Sequence, residues 1–465
     1  MNTAMISPES TSGASRRFRR TRVGFVVVAA VAVLAAACSS SSSGGGGGSG
    51  GSEPTITVWN DALASGSCGV PAAKSFLTKG VNLFEQTNPG FKVKIIQEQC
   101  DASTPFDTLL QSSETAGTTP DIGQMYVGGQ VIQNGKYLVD LRQYLPSSYI
   151  NSLTGWTYVT DGYGTKTDGA IWGVPFGAGY WYSVYYNKKD FQKAGITTLP
   201  TTWAGLLADA HTLKSKGITP FDIGEKEGYT GAWTQDSFIS GLVGDAGVLK
   251  MFNGQASLDS PTLIKPYEAW HSLFAQGLTN SDAPSLPNAN GIADFAAGKA
   301  AMTFTAGFFN SQFEKGLGSN VGLFPIPSLP GSEFTKSLSG GPNNAYVVFK
   351  NSKHIADDVK LITFLTSLKV QLLSAQELGQ YPNNVSFKPT ASFDTSQPLL
   401  VDIYKYIRLQ HYVTGEAFDN VMPGTIDSYW YQTNSAVFGG SLSPQKAASS
   451  MQTQMKSYLA TASTG

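Results

Sequence analysis

Residues 55–96 read TITVWNDALASGSCGVPAAKSFLTKGVNLFEQTNPGFKVKII, and this stretch decides the fold class. Its first five residues alternate in polarity and are rich in β-branched side chains, which predicts a strand. Apolar residues recur at helical spacing over 74–87, and the sequence NPG at 88–90 ends that helix. Residues 91–96 alternate again and predict a second strand. A strand, a helix and a strand in this order form a βαβ unit, and hence a parallel sheet.

The alternation of strands and helices continues along the rest of the chain. Thr201 or Thr202 caps a helix predicted over 203–216, which ends before Gly217. Further strands are predicted at 120–122, 182–188, 301–305 and 345–349, and further helices at 293–299, 356–368 and 444–459. The pattern predicts an α/β protein, and a chain of 465 residues is long enough for two lobes with separate cores.

The first 37 residues have the composition of a secretion signal. An arginine-rich block at 16–22 precedes an apolar run at 23–37. This run has 15 residues, fewer than the ~20 that a membrane-spanning helix needs. A basic block, a short apolar run and small residues are typical of a signal peptide, which we predict over 1–37.

Cys38 is predicted to carry a lipid. The sequence VLAAAC at 33–38 is similar to a bacterial lipobox, although Leu34 lies four residues before the cysteine instead of the usual three. An unbroken Ser/Gly tract follows, so we expect 38–53 to be the lipidated cysteine and a flexible tether. Ordinary cleavage that leaves a free Cys38 is the alternative, and the export route, general secretory or twin-arginine, stays open.

The other two cysteines, Cys68 and Cys100, flank the first predicted helix. An even pair in an exported chain predicts a disulfide, with two unpaired thiols as the alternative. The formal net charge is −1, and the signal peptide contributes +4, which leaves −5 for the rest of the chain. This balance offers no basic face, so we expect no nucleic-acid partner. No further apolar run approaches spanning length, and we expect membrane contact only through the lipid.

The order of the local patterns resembles the extracellular solute-binding proteins of sugar importers, the group that includes the maltodextrin-binding protein. The resemblance covers essentially all of residues 54–463. Each motif is weak alone, and their order is what makes the resemblance specific. The motifs are FEQTNPG at 84–90, TPDI at 119–122, WGVP at 172–175, YNK at 186–188, AGI at 194–196, LPTTW at 199–203, FAAGKAAM at 295–302, GGP at 340–342 and the turn at 435–444 into the last helix.

The resemblance implies two α/β lobes, joined by three hinge crossings, that close on a ligand in the cleft between them. It places the crossings near 177–181, 338–343 and 381–386. The N-terminal lobe is then expected at 54–178 with 342–385, and the C-terminal lobe at 181–338 with 388–465. It further implies a monomer that passes its sugar to ABC permease subunits, with a separate ATPase and with no cofactor.

A neutral sugar has flat apolar faces and many hydroxyl groups, so its site needs aromatic rings beside hydrogen-bonding side chains. Among the candidates, Trp59, Asn60 and Asp61 follow the first strand at its carboxyl end, where open α/β sheets bind ligands. For the tryptophans at 172 and 203, packing in the core is the favoured interpretation. The remaining candidates are carried over from the resemblance: Gln124, Tyr126, Tyr180, Trp233, Asp236, Phe308, Gly341, Asn343, Asp427 and Trp430.

Other function classes have less support in the sequence. The four histidines are scattered without metal-site spacing, no GxSxG nucleophile elbow is recognised outside the Ser/Gly tether, and no GxGxxG motif follows a strand, so neither a metal site nor an enzyme is expected. A glycosidase needs only two suitably placed carboxylates and stays as a minor alternative. The tyrosine-rich stretch 181–186 leaves ferric iron open as a ligand of the same fold, with a strand whose rings alternate between core and cleft as the simpler interpretation. Polyamine or peptide capture would need an acidic or a backbone-binding cleft, of which the sequence gives no direct sign.

Overall fold

The computed structural model describes residues 55–60, 71–97, 106–164, 167–177, 181–422 and 424–462. Several predictions concern residues outside these ranges: the signal peptide, the lipidated Cys38 and tether, the Cys68–Cys100 disulfide, and the site candidates Asp61 and Tyr180.

The described chain alternates between strands and helices. The strands are β1 (Thr55–Asn60), β2 (Lys92–Gln97), β3 (Ile122–Tyr126), β4 (Val174–Phe176), β5 (Ser183–Asn187), β6 (Met302–Thr305), β7 (Val321–Pro325), β8 (Ser337–Ser339), β9 (Asn344–Val348) and β10 (Val413–Gly415). The helices are α1 (Phe76–Thr87), α2 (Phe106–Ala116), α3 (Gly129–Gln133), α4 (Ser147–Ile150), α5 (Lys188–Ala194), α6 (Trp203–Ser215), α7 (Tyr229–Phe252), α8 (Pro261–Ala275), α9 (Asn288–Ala296), α10 (Asn310–Leu317), α11 (Ile355–Leu365), α12 (Leu368–Leu378), α13 (Ala391–Ser396), α14 (Pro398–Tyr404), α15 (Phe418–Val421), α16 (Gly424–Phe438) and α17 (Pro444–Ala462).

The first sheet has the strand order β2-β1-β3-β9-β4. Strands β2, β1 and β3 are parallel, and β9 runs antiparallel to both β3 and β4. Ile56 and Val58 of β1 are fully buried, and the Asp121 carboxylate fixes the strand by accepting from the backbone N–H and the hydroxyl of Thr57, at 2.8 and 2.7 Å. The parallel pairing of β1 with β2 confirms the βαβ unit read from the sequence.

Helix α1 shows why this unit forms where the sequence places it. The Ser75 hydroxyl accepts from the backbone N–H of Thr78 at the start of the helix, which satisfies one of the free donors there. One face of α1 is buried, and it packs against α11 and α12. The helix ends at Thr87, as predicted, but it begins at Phe76, later than the predicted start at 74. A single 3-10 turn at Ala72–Lys74 precedes it. We refer to the first sheet and these helices as the first half.

The second sheet has the order β6-β5-β7, with both outer strands antiparallel to β5. Helices α7, α9, α10 and α14 pack against its strands, and α8, α16 and α17 pack against one another beside α7. Thr202 is the residue that caps α6, since its hydroxyl accepts from the backbone N–H of Gly205 at 3.1 Å. We refer to this sheet and its helices as the second half. The α/β class is therefore confirmed.

The chain passes between the halves at three places. It leaves the first sheet after β4 and enters the second sheet at β5, and it returns to the first sheet between β8 and β9. The third passage lies between α12, which packs on α1, and α14, which packs on β7. The passage after β8 is held by a short parallel pairing between β8 and β10. The three predicted hinge crossings and the lobe boundaries stay predictions.

Candidate functional site

One edge of the first sheet collects polar side chains that the sequence analysis singled out. The carboxyl ends of β1, β3 and β4 and the start of β9 meet at this edge, because Asn344 is in register with both Tyr126 and Phe176. Trp59 and Asn60 end β1 and are buried. This is the edge at which open α/β sheets accept ligands.

Gln124 is buried just inside that edge. Its side-chain N–H donates to the Tyr346 hydroxyl at 3.2 Å, and the Tyr346 ring stacks on Phe176 with centroids 4.1 Å apart. The Gln124 carbonyl oxygen is buried and has no hydrogen-bond partner. The first half therefore carries an acceptor that is left unsatisfied, which is costly unless a donor reaches it.

Aromatic rings gather in the second half around Trp233. Helix α7 presents Tyr229 and Trp233 at i and i+4, so both rings lie on one face of the helix. Trp233 stacks between Tyr229 and Tyr182, with centroids 6.0 Å away on each side, and meets Phe308 edge-on at 5.5 Å. Tyr431 meets Tyr229 edge-on at 5.0 Å. We call these five residues the aromatic cluster.

Four acidic side chains lie next to the aromatic cluster, and we call Asp236, Glu416, Asp419 and Asp427 the carboxylate cluster. Asp419 accepts from the Tyr431 hydroxyl at 3.2 Å, and the Trp233 side chain lies close enough to lower the Asp419 pKa. One oxygen of Asp236 accepts from the backbone N–H of Phe418 at 2.7 Å. Asp236 lies three residues after Trp233 on α7, and Asp427 lies four residues before Tyr431 on α16, so helical spacing brings rings and carboxylates together.

Burial raises the pKa of every carboxyl group in the carboxylate cluster. The pKa of Asp419 rises to about 6, and those of Asp236, Glu416 and Asp427 rise well above their usual range. Repulsion from Asp419 adds to the burial effect in all three of these. The charged neighbours that shift these pKa values are themselves acidic, so burial and mutual repulsion both favour the protonated, neutral form of these carboxyl groups.

The two halves touch close to the carboxylate cluster. A Cβ on Gly128, just beyond β3, would lie 2.4 Å from the carbonyl oxygen of Asn420, so only glycine allows this approach. Gly128 also has a φ of +77°, which favours glycine in its own right. The Tyr163 hydroxyl donates to the carbonyl oxygen of Val421 at 2.9 Å. The segment around α15 is therefore in direct contact with the first half.

The passage between β8 and β9 connects the two groups of site residues. A Cβ on Gly341 would lie 2.9 Å from a carboxylate oxygen of Glu416, which places this backbone against the carboxylate cluster. Two residues later, the carbonyl oxygen of Asn343 accepts from the backbone N–H of Val127 at 3.1 Å. The same short passage thus contacts the cluster and the edge of the first sheet.

The structure brings most of the described candidates to these two groups. On the first sheet they lie at the edge or just inside it, and in the second half they lie in the two clusters or on the passage beside them. The first-sheet candidates are Trp59, Asn60, Gln124 and Tyr126, and the others are Trp233, Asp236, Phe308, Gly341, Asn343 and Asp427. Their contact with a ligand stays a prediction.

Trp430 is placed differently. Its ring is 1% exposed, meets Phe418 edge-on at 4.9 Å, and its side chain bonds with the Tyr267 hydroxyl. This placement favours packing between α8, α15 and α16 over contact with a ligand, because the neighbouring side chains already cover the ring. The stacking role expected for Trp430 stays a prediction. Tyr431, the next residue, is the one in the aromatic cluster.

Five residues of the clusters were not among the predicted site residues: Tyr182, Tyr229, Glu416, Asp419 and Tyr431. Tyr229 and Tyr431 could have been found from their i, i+4 spacing to Trp233 and Asp427. Glu416 and Asp419 gave no periodic signal, because they lie in a segment made of the three-residue β10 and the four-residue α15.

The tyrosine-rich strand β5 is a packing element. Within the strand, Tyr186 belongs to one core and Tyr185 to another, as alternating side chains of a strand must, whereas Tyr182 precedes the strand and belongs to the aromatic cluster. The Tyr185 hydroxyl donates to Asn310 at 2.7 Å. In the described part of the chain, no group of three or more His, Cys, Asp or Glu residues is placed to hold a metal ion.

None of the helices in the described ranges combines the length and the apolarity that crossing a membrane requires. The family of bacterial extracellular solute-binding proteins matches residues 70–372. A Brucella abortus protein whose name describes it as a binding protein is 26% identical over 324 residues, which is 65% of this chain and 71% of that protein. An uncharacterized ABC transporter extracellular-binding protein of Pyrococcus horikoshii is 26% identical over 257 residues, 53% of this chain and 56% of that protein.

Solved structures show the same fold. A chitin oligosaccharide binding protein superimposes with a TM-score of 0.74 at 23% identity, covering 88% of this chain and 100% of that chain. A protein described for xylan utilization by Caldanaerobius polysaccharolyticus gives a TM-score of 0.72 at 24% identity, with coverages of 86% and 100%. Maltose-bound MalE3 of T. maritima gives 0.65 at 19% identity, with coverages of 86% and 99%.

Proposed function

The chain belongs to the bacterial extracellular solute-binding proteins, and from this membership we propose that it captures a carbohydrate outside the cell and delivers it to an ABC importer. The observation that carries the proposal is the contact between the aromatic cluster and the carboxylate cluster, in which the Tyr431 hydroxyl donates to Asp419 at 3.2 Å. Rings cover the apolar C–H faces of a sugar, and carboxylates accept hydrogen bonds from its hydroxyl groups.

Unsatisfied polar atoms on both sides support the same ligand class. Asp236 and Asp427 in the second half and Gln124 in the first half each have a buried side-chain oxygen without a hydrogen-bond partner. Three acceptors near aromatic rings call for a ligand rich in O–H donors. Sugar hydroxyls supply such donors without requiring a charge.

The first half is proposed to complete the site from the opposite side. Trp59, Asn60, Tyr126 and Asn343 surround the sheet edge, and the contact of Gly128 with Asn420 holds that edge near the carboxylate cluster. In this proposal the crossings at 177–181, 338–343 and 381–386 act as hinges, and the two lobes close on the sugar. Phe308 and Asp427 contact it from the second half.

Relatives with this fold support a carbohydrate ligand. The names of the solved structures mention chitin oligosaccharide and maltose, and one relative, from Rhizobium meliloti, is named as an sn-glycerol-3-phosphate-binding periplasmic protein. The family and these neighbours are binding proteins, so release of an unaltered ligand is proposed. We further propose a monomer held at the outer face of the membrane by a lipid on Cys38.

The experiment that tests the function is a thermal-shift screen of residues 54–465 against a broad panel of mono- and oligosaccharides, with Fe(III) and spermidine as non-sugar ligands. A shift of the unfolding temperature with at least one sugar is expected, together with a change in tryptophan fluorescence. No response to any sugar, with a clear response to Fe(III) or spermidine, would overturn the carbohydrate proposal.

A further inference from the structure

The carboxylate cluster has no cationic partner among the described residues. Salt bridges in the described chain join other residues, namely Lys79 with Glu377, Lys193 with Asp190, Lys299 with Asp294, and Lys405 with Asp402. The two described arginines, Arg142 and Arg408, bond with backbone carbonyls elsewhere. Buried carboxylates are normally compensated by a positive group, so this cluster departs from the usual arrangement.

A fifth acidic group extends the same region. Asp245 lies close enough to the Tyr158 hydroxyl of the first half to shift its pKa, and the backbone of Glu416 lies close to the same hydroxyl. Burial raises the pKa of Asp245 to about 6. Acidic side chains therefore extend from α7 to the contact between the halves, and no described lysine or arginine forms a salt bridge with them.

Two carboxylate oxygens in the cluster are buried and lack a donor. Asp236 is 1% exposed, and while one of its oxygens accepts from Phe418, the other has no hydrogen-bond partner. One oxygen of Asp427 is in the same situation. Once Asp236 and Asp427 are ionised, their oxygens are acceptors alone, and an ammonium group, which has three donors and no acceptor, matches them.

We propose that the sugar taken by this site carries a protonated amine, which lies among Asp236, Asp419 and Asp427. The inference rests on the proposed function and narrows its substrate class to amino sugars. A cation next to Trp233 and Tyr431 also gains from the negative faces of the rings. The described carboxylates are not placed to hold a metal ion, which favours a larger organic cation.

A neutral sugar would fit the geometry less well. It could donate hydroxyl hydrogens to the two free oxygens, but the repulsion between Asp236, Asp419 and Asp427 would remain uncompensated. The protein would then have to keep these carboxyls protonated. An amine removes the repulsion and lets them ionise, so binding should release protons to the solvent.

Three β-1,4-linked trisaccharides that differ only at C2 of each ring test the proposal: the glucosamine, N-acetylglucosamine and glucose trimers. Calorimetric titration near neutral pH is expected to give the glucosamine trimer a dissociation constant about 10-fold or more below those of the neutral trimers. Repeating the titration in buffers with different ionisation enthalpies is expected to show proton release with the amine only.

Matched variants test whether the carboxylate cluster causes the preference for the amine. Asp419→Asn and Asp427→Asn keep the side-chain shape and remove a charge, so each is expected to reduce the preference for the amine by about 10-fold. Asp394→Asn makes the same change at an exposed position on α13 and should leave the preference unaltered. Circular dichroism of each variant establishes that it is folded before titration.

The possible outcomes separate this inference from the proposed function. A neutral trimer that binds as tightly as the glucosamine trimer, or binding of none of the three, overturns the amine proposal. Binding of spermidine but of no trimer overturns it as well. The carbohydrate function fails only if the whole sugar panel gives no response. The affinities of the wild-type protein for the three trimers test the amine proposal even if both cluster variants fail to fold.

Discussion

The Tyr431 hydroxyl donates to the Asp419 carboxylate across 3.2 Å and thereby ties α16 to α15. The Trp233 side chain on α7 lies close enough to Asp419 to lower its pKa. A single carboxylate therefore binds one aromatic ring and lies beside a second that comes from a distant part of the chain. Since such rings contact a ligand only when they are held in place, Asp419 organises the aromatic cluster.

Trp233→Ala is expected to weaken sugar binding by roughly 1–3 kcal/mol, because it removes the central ring of the aromatic cluster. Titration calorimetry with a sugar found in the thermal-shift screen measures the loss. Trp172→Ala is the control, since that half-buried ring lies in the first half and its N–H donates to Asp161 at 3.3 Å. If the two variants bind the sugar with equal affinity, Trp233 does not contribute to the binding site.

Trp430→Ala is expected to lower the free energy of unfolding by about 3–5 kcal/mol, because it leaves a cavity where a fully buried ring packs on Phe418. Urea unfolding followed by circular dichroism gives this quantity. If Trp430 contacts ligand after all, the variant will instead keep most of its stability and lose affinity. Comparison with Trp430→Phe separates ring loss from the loss of the bond with Tyr267.

Gly128→Ala is expected to weaken ligand binding by about 10-fold, an order-of-magnitude value for disturbing one tight backbone contact. The added Cβ would lie 2.4 Å from the Asn420 carbonyl oxygen and push the halves apart. Gly117→Ala is the matched control. Gly117 has a φ of +66°, and a Cβ there would meet nothing within 4 Å, so this variant carries the backbone strain without the contact. Similar affinities for the two variants would argue against closure through this contact.

The free protein is expected to lose stability as the pH rises from about 5 to 8. Burial raises the pKa of Glu225 from its ordinary 4.5 to about 8. The folded chain therefore binds more protons than the unfolded chain in this interval, so the stabilisation is full below about pH 4.5 and disappears as the pH approaches 8. Burial likewise raises the pKa of Asp222, Glu314 and Asp358 to about 7.

Glu225→Gln tests whether Glu225 causes this loss of stability with rising pH. Glu225 accepts from the backbone N–H of Gly231 at 2.9 Å and from the Trp270 side chain at 3.1 Å, and a glutamine can keep one of these bonds. The variant should be less stable than the wild type at pH 5, with a smaller difference at pH 8. Thermal unfolding at several pH values measures this, and Glu333→Gln, at an exposed site, serves as the control. A constant difference across the range would contradict the assignment.

Cys38→Ala is expected to move the protein from the membrane fraction to the soluble fraction of the cells that express it, because the proposed lipid would have no attachment site. Immunoblotting of the two fractions measures the distribution. Ser39→Ala leaves the thiol intact and should stay with the membrane. Retention of Cys38→Ala in the membrane fraction would refute the lipid anchor.

The fold was largely predictable because its signals are local. The βαβ unit at 55–96 and the cap at Thr202 depend on neighbours a few residues away, and the structure reproduces both. The similarity to known binding proteins added the order of the elements. Helix ends moved by a few residues, as at α9, which was expected over 293–299 and spans Asn288–Ala296.

The site was only partly predictable because its signals are tertiary. Resemblance placed a ligand-stacking ring at Trp430, but which of two adjacent aromatic residues faces the site depends on the rotation of α16 against its neighbours. The meeting of Asp236 with Asp419 and Glu416 depends on how the segment at 413–421 crosses α7. No spacing in the sequence encodes that crossing.

The pairing of β8 with β10 involves three residues on each strand, and Glu416 follows it directly. Glu416 and Asp419, which are half of the carboxylate cluster, thus lie on a short segment that belongs to neither of the larger sheets. Divergence confined to 413–421 could exchange one preferred sugar for another while every strand of those sheets kept its register. We therefore expect related chains to differ in ligand choice first at this segment, which makes it the natural target for redesign of specificity.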